Sequence, residues 1–448
     1  MFRSKRDSGG QALAYCHPDL VYIIPSAGAD TNRPFSPGFG PWAGCGGLIG
    51  GHPRPRGAQV LQIKRVLNRR DLKAFVRLPF GLYAKCPQWV PPLDMEQLEI
   101  LDPARNPAFA EADARLYLAL RDGQPVGRVA AIHSRAANQH QHGHNLRFGW
   151  FETVEDYAVA RALLGAVEDW ARELGLDTIT GPQGFCDLDP QGMLIEGFQH
   201  LPTIVTYYNH PFYPLFLERY GFSKDMDYVE LLLTRGEQSG LPPRLQRLVA
   251  AVQGRSQWRV LEFRRRREAL AWMPQVMEVL NEAFAGLYGE VPLSQAQVKH
   301  YMQKFLPFLD KDLLVGVVDR NNRLQGFAVA LPSLSRAFQK AQGRLLPFGW
   351  WHIWRGLRDS EIIDFYLVGV RKNCQGRGLP ALIMARLYEK AMSKRFVLAE
   401  SNPILENNQL SLALYEPFKP LQHKRRRVFT KTVAGPLPPP DEEKHEPL

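Results

Sequence analysis

Between Ile362 and Met384 the chain reads IIDFYLVGVRKNCQGRGLPALIM, and these residue types suit the binding of a phosphate. An apolar strand runs to Val370, a turn covers 371–374, and Gln375-Gly376-Arg377-Gly378 opens a helix. A helix start carries four unpaired N–H groups and about half a positive charge, and glycines there let an anion approach the backbone closely. Arg371, Lys372 and Arg377 add side-chain cations around the same turn. The pattern is not the dinucleotide fingerprint G-x-G-x-x-G, whose third glycine is missing, nor a P-loop, which needs Gly-Lys-Ser/Thr at the helix start. Glycines also cap ordinary tight turns, so a structural reading stands beside the chemical one.

Other stretches carry weaker signals. His140, His142 and His144 alternate in AANQHQHGHN without a carboxylate close in sequence, which reads as a solvated loop rather than a metal site. No metal is expected. Basic runs at 264–267 and 424–427 each lie at or beside a strand, and they read as solvated edges that discourage edge-to-edge pairing. No helix-turn-helix, RNP motif or zinc module accompanies them, so no specific nucleic-acid partner follows.

The elements that must position the phosphate turn occur twice. In each half a strand (61–66; 258–263) leads into a helix (from 71; 269–284) and then a hairpin (116–120 with 126–132; 313–318 with 324–331). A strand then feeds a long amphipathic helix (145–151 into 154–174; 362–370 into 378–392), and a further strand follows (178–180; 396–399). Each half closes with a short helix and a last strand (214–220 with 228–234; 408–415 with 427–433). The matching elements lie roughly 200 residues apart, far above the solenoid range, so this is a duplication rather than a repeat array. The expected fold is α/β (α+β), each half a mixed, mostly antiparallel sheet flanked by helices. The halves span 59–236 and 244–434, joined by a linker at 237–243 that contains Gly240 and the pair Pro242-Pro243. Segments 1–58 and 435–448, rich in Gly and Pro, or in Pro and charge, read as disordered tails. Residues 345–355, LLPFGWWHIWR, are dense in aromatics just before the phosphate strand. They suit either core packing between the halves or a pocket in which Trp351 and Trp354 meet a bulky apolar substrate.

With this order of elements, the second half resembles the GNAT superfamily of acyl-CoA-dependent N-acyltransferases. Gln375-Gly376-Arg377-Gly378-Leu379-Pro380 follows the family's loop Gln/Arg-x-x-Gly-x-Gly/Ala except at its last position, and Asn408 and Tyr415 have the spacing of its Asn…Tyr motif. The likeness covers 258–433 and extends in fold to the first half, so the chain looks like a tandem GNAT protein of a bacterial type. The resemblance implies that the strand ending at Val370 splays from its neighbour, with Val368 and Val370 lining the pantetheine arm of acetyl-CoA or another acyl-CoA. Gln375, Gly376, Arg377, Gly378 and Leu379, with Arg371, would then hold the pyrophosphate. Tyr415 would protonate the departing thiolate, Asn408 would orient its helix or reach the cofactor, and Asp364 or Glu400 would collect the amine proton. Two departures bear on this. Pro380 supplies no N–H in the helix's first turn, and Pro417-Phe418 compresses the Gly-Phe expected after the tyrosine.

The corresponding turn of the first half, Phe151-Glu152-Thr153-Val154-Glu155-Asp156, has no glycine, and its carboxylates would repel a pyrophosphate. Thr153 and Asp156 instead have a capping-box-like spacing. That half carries the fold without the cofactor site, and Asn209 to Tyr213 with Tyr220-Gly221-Phe222 reads as packing.

Composition agrees with a globular protein: 448 residues, 45% hydrophobic, with a formal charge of +11 that suits an anionic partner. Five cysteines without a C-x-x-C pair suit a reducing cytoplasm, and no apolar run is long enough to span a membrane. The sequence thus supports an N-acyltransferase acting on an unidentified amine. Its alternative is a non-catalytic GNAT-fold protein that binds CoA or another anion in a regulatory or scaffolding role.

Overall fold

The computed structural model describes residues 14–17, 20–23, 60–235, 240–253 and 258–433. Strands β1 (Ala14–His17) and β2 (Leu20–Ile23) pair as an antiparallel hairpin in a unit of their own, where the sequence had suggested no element. The rest of the segment read as an N-terminal tail, and the whole of 435–448, lie outside the described residues.

The main unit starts with β3 (Leu61–Arg65), which feeds α1 (Arg69–Leu82). The Asn68 side chain accepts from the Asp71 N–H at 2.9 Å and caps that helix. Helix α2 (Asp94–Ile100) precedes the hairpin β4 (Ala112–Arg121) and β5 (Gln124–Ser134). Its turn is Asp122-Gly123, both at positive φ, the geometry that matches strand twist. Then come α3 (Arg135–Gln141), β6 (Asn145–Thr153), α4 (Tyr157–Glu173), β7 (Thr178–Gly181), β8 (Met193–Glu196), α5 (Phe212–Tyr220) and β9 (Ser223–Thr234).

The second half begins with α6 (Pro243–Gln253) and β10 (Arg259–Leu261). The helix expected at 269–284 is two pieces, α7 (Arg266–Leu270) and α8 (Met273–Phe284), because Pro274 suits only a first turn. After α9 (Gln295–Phe305), the hairpin β11 (Leu314–Val318) and β12 (Leu324–Pro332) leads to α10 (Ser335–Ala341) and α11 (Gly349–Asp359). The last elements are β13 (Ile362–Val370), α12 (Leu379–Met392), β14 (Leu398–Ser401), β15 (Ile404–Leu405), α13 (Gln409–Ala413) and β16 (Leu421–Thr432).

One 14-stranded sheet crosses both halves in the order β10-β11-β12-β13-β14-β9-β16-β7-β6-β5-β4-β3, with β15 on β9 and β8 on β16. Each half's closing strand is taken by the other half. β9 pairs with β14 (Thr234 against Leu398), and β16 pairs with β7 (Gly181 against Phe429). The division of the chain near 236–244 is therefore a division of sequence that the sheet does not respect.

This overturns the reading of 424–427 as a solvated edge. β16 is central, and Lys424 and Arg426 are fully buried on one of its faces. Lys424 bonds Glu230 at 2.7 Å and also contacts Glu400, while Arg426 pairs with Glu230 and donates to the Tyr207 carbonyl at 2.6 Å. On the other face Arg425 and Arg427 pair with Asp227. The run at 264–267 does sit beside the edge strand β10, with Arg264, Arg265 and Arg267 exposed.

Candidate active site

The site begins where β13 and β14 part. Their parallel pairing runs from Ile362/Leu398 to Phe365/Ser401 and stops. There Asn402 intervenes: its N–H donates to the Phe365 carbonyl at 3.2 Å and its side-chain amide to the Tyr366 carbonyl at 2.8 Å. Beyond this wedge β13 stays paired to β12 through Gly326/Val370, and among the described residues its other edge carries no strand. Val368 and Leu367 are half-buried along that opening.

The strand runs straight into the glycine loop. After a 3-10 turn at Lys372–Cys374, Gly376 (φ 70°) and Gly378 (φ 81°) take left-handed conformations that other residues avoid. Gly378 caps α12 without a side chain, which leaves the first-turn N–H groups to a ligand or solvent, except at Pro380. A side chain on Gly376 would point into open space, whereas one on Gly378 would collide with Val252 of α6. Thus Gly378 has a packing reason as well.

Lys372, Gln375 and Arg377 are exposed at this turn. Arg371 is not available to it. Its buried guanidinium bonds Glu282 at 2.8 Å and Glu278 at 2.9 Å on α8 and donates to the Leu324 carbonyl at 2.7 Å. The positive charge expected to meet a phosphate therefore ties the loop to α8. The Asn408 side chain caps α13 through the Ser411 N–H at 3.0 Å. Tyr415 is buried in the apolar core against Phe365, ring centroids 5.7 Å apart, and burial pushes its phenol up.

Asp364 and Glu400 face each other across the last parallel pairs, at the closed end of the opening. Burial first, and then the Glu400 charge, push the Asp364 carboxyl well above the usual range, so it stays neutral. Burial, the largest single influence, works against ionisation of Glu400 too, but the Lys424 ammonium and His423 together outweigh it and hold that carboxylate low. A bulge in β16 between Gln422 and Lys424 turns His423 to the same face, 3.5 Å from Glu400. Glu230, Glu400 and His423 have metal-ligand spacing, but the cation between the two carboxylates is Lys424. Glu230, His423 and Asn402 escaped the sequence reading, and Lys424 was read only as part of a solvated edge. The available signal was KRRR in a strand of period 2, matched by Asp227 and Glu230 in the other half's closing strand.

An apolar cavity of about 100 Å³ adjoins β13 on the side of α8 and α9. Met273, Met277, Tyr301, Phe327, Leu367 and, from the first half, Leu188 help line it. A larger cavity, about 1110 Å³, is lined mainly by 103–115 with residues between 291 and 297, and takes no lining from β13 or α12.

In the first half β6 and β7 part after Arg147/Thr180, but the opening keeps only a small cavity of about 40 Å³ beside Glu152 and Gln183. The Thr153 N–H donates to the Tyr213 phenol at 3.0 Å, and Tyr83 and Tyr213 both bond the buried Glu152. Asp156 rather than Thr153 caps α4, accepting from the Ala158 N–H at 2.8 Å. The histidine stretch is mostly helix α3 rather than loop, and His140 meets Glu290 of the second half at 2.9 Å. The aromatics of α11 neither fill a core nor line the cavities described: Trp350, Trp351 and Trp354 are 53%, 40% and 49% exposed.

Among solved structures, a tandem GNAT protein of the clavulanic acid biosynthesis pathway matches with a TM-score of 0.51. It is 12% identical, and the match covers 84% of this chain and 100% of that one. The chain therefore has the tandem GNAT fold. In sequence it is similar to a bacterial ceramide synthase of Caulobacter vibrioides, 29% identical over 385 residues, covering 83% of this chain and 98% of the relative. It is also similar to the Escherichia coli K12 protein YghO, 28% identical over 380 residues, covering 83% and 95%. No family model matches the sequence.

Proposed function

We propose that this protein is an N-acyltransferase that moves an acyl group from acyl-CoA to an amine, with its site in the second half. The observation that carries this is a coincidence along β13: a free strand edge, a glycine-opened helix start directly after it, and an apolar cavity beside Tyr366 and Leu367. On this reading Val368 and Val370 flank the pantetheine arm, and the backbone from Gln375 to Leu379 holds the pyrophosphate with Lys372 and Arg377 as its cations. The cavity, about 100 Å³, takes the first few carbons of the acyl chain and so favours a donor longer than acetyl. The acceptor is a long-chain amine, in keeping with the relative named a bacterial ceramide synthase.

In the reaction the amine nitrogen attacks the thioester carbonyl, a C–N bond forms and the C–S bond breaks. The amine gives up a proton and the sulfur takes one. Glu400, ionised and set against Lys424, is the carboxylate able to draw the amine proton; Asp364, neutral, is a hydrogen-bond donor beside it. Tyr415 keeps its phenol proton for the thiolate. Cys86, Cys186 and Cys374 are free thiols, as suits the cytoplasm in which we place the reaction.

The non-catalytic alternative draws support from the apolar surroundings of Tyr415 and the engagement of Arg371 with α8. Calorimetric titration with acetyl-CoA and palmitoyl-CoA, followed by a release assay for free CoA with a long-chain amine, separates the two. Binding of the longer donor with turnover is expected. Binding without turnover of any amine selects the alternative, and no binding of either donor removes both.

A further inference from the structure

We propose that the outer face of α11, with the turn before it, docks on an anionic lipid bilayer. This surface does not depend on the reaction assigned to β13. Helix α11 has two unlike faces. Inward, Ile353 joins a core with Leu334, just before α10, with Ala337 and Phe338 of that helix and with Val90 and Leu93 of the first half. Gly356 makes that contact close, since a Cβ there would lie 2.9 Å from the Ala337 Cβ. Outward, Trp350, Trp351 and Trp354 stand in the solvent together with Leu346 (75% exposed) and Phe348 (70%). Single exposed apolar residues are ordinary, but five large ones within nine positions form a patch that a protein in water alone has no reason to keep.

The chemistry of the patch selects its occupant. Indoles are favoured at the boundary between headgroups and acyl chains, where an apolar ring with one polar edge is at home. Cations are interleaved with them: the Arg355 guanidinium lies 5.0 Å from the Trp351 ring centroid and Arg358 lies 5.1 Å from Trp354. Lys340 and Arg344 are exposed alongside. Across 335–361 five basic residues stand against two acids, Glu361 and Asp359, the latter paired to Arg355 and Arg358. A partner protein's apolar surface would not require that excess; phosphate-bearing lipids would meet it. Helix α11 ends immediately before β13, so a docked α11 holds the start of that strand, the end paired to β14, toward the bilayer.

The test is flotation of the full chain with vesicles of phosphatidylcholine alone or with 30% phosphatidylglycerol, at low and high salt. The wild type is expected to float with the anionic vesicles and to be released by salt. Trp351→Ala with Trp354→Ala, and separately Arg355→Glu with Arg358→Glu, should each weaken binding by at least about 10-fold. Their thermal unfolding should stay close to the wild type's, because all four side chains are exposed and surface ion pairs such as those of Arg355 and Arg358 with Asp359 contribute little. The idea is overturned by a wild type that ignores anionic vesicles or by variants that float unchanged. It is equally overturned if light scattering shows a dimer that the tryptophan variant dissociates, since a second copy would then cover the face.

Discussion

The cations around the glycine loop show how a residue's role follows from its neighbours rather than its type. Arg371 and Arg377 look equivalent in sequence, yet one is locked onto Glu278 and Glu282 while the other is exposed and has no ion pair among the described residues. Arg371→Ala should therefore act on the fold, costing about 1.5–3 kcal/mol in urea titration for the charged hydrogen bonds it removes. Lys372→Glu with Arg377→Glu should leave stability unchanged and weaken CoA binding by about 10-fold or more through lost attraction to phosphate. Calorimetry and unfolding on the same samples check both, and the reverse assignment would show that the loop does not face a phosphate. These exposed positions make a better probe than Gly378, where any larger residue meets Val252.

Asp364 allows a sharper test, because its environment fixes its protonation. A carboxyl whose pKa is raised on folding binds more protons folded than unfolded, so its contribution is fully present at low pH and lost as pH rises past the unfolded value near 4. The neutral isostere escapes this loss. Asp364→Asn should thus gain stability relative to wild type as the pH rises above about 4 and keep most of any turnover, while Glu400→Gln should lower turnover by about 100-fold. Equal pH slopes for Asp364→Asn and wild type would mean that Asp364 is ionised in the fold.

At the scale of elements, both hairpins, the strand-to-helix turns and the order of each half were legible, because Asp122-Gly123, the glycine loop and the period-2 runs are local signals. The break between α7 and α8 was also in the sequence, at Pro274. Helix α11 was not readable as exposed: its aromatics have the spacing of a core helix, and only its packing on α10 shows which face is used. Nor did sequence indicate that α6 covers the start of α12. That contact predicts coupling. Gly378→Ala should cost more than the roughly 1 kcal/mol of its backbone conformation alone, and Val252→Ala should recover part of the excess. A double-mutant cycle measures this, and strict additivity would place α6 away from the loop.

The exchange of β9 and β16 belongs to the whole molecule, and no local signal announces it. KRRR reads as solvent-facing because the acids that neutralise it, Asp227 and Glu230, lie roughly 200 residues away. Each half leaves a gap in its own sheet that the other's last strand fills, and the seam is held by charges with no access to water. Two independent domains would unfold in two steps; a shared sheet should melt in one. Urea transitions followed by tryptophan emission and by far-ultraviolet circular dichroism are accordingly expected to coincide across the chain. Arg426→Ala tests the seam itself. It leaves Glu230 with Lys424 alone, a buried carboxylate short of one partner, and breaking such a pair costs about 3–5 kcal/mol. If the seam joins the halves, that loss lowers the single transition as a whole. If only the second half's signal moves, the halves fold apart and the exchanged strands do not bind them into one cooperative unit.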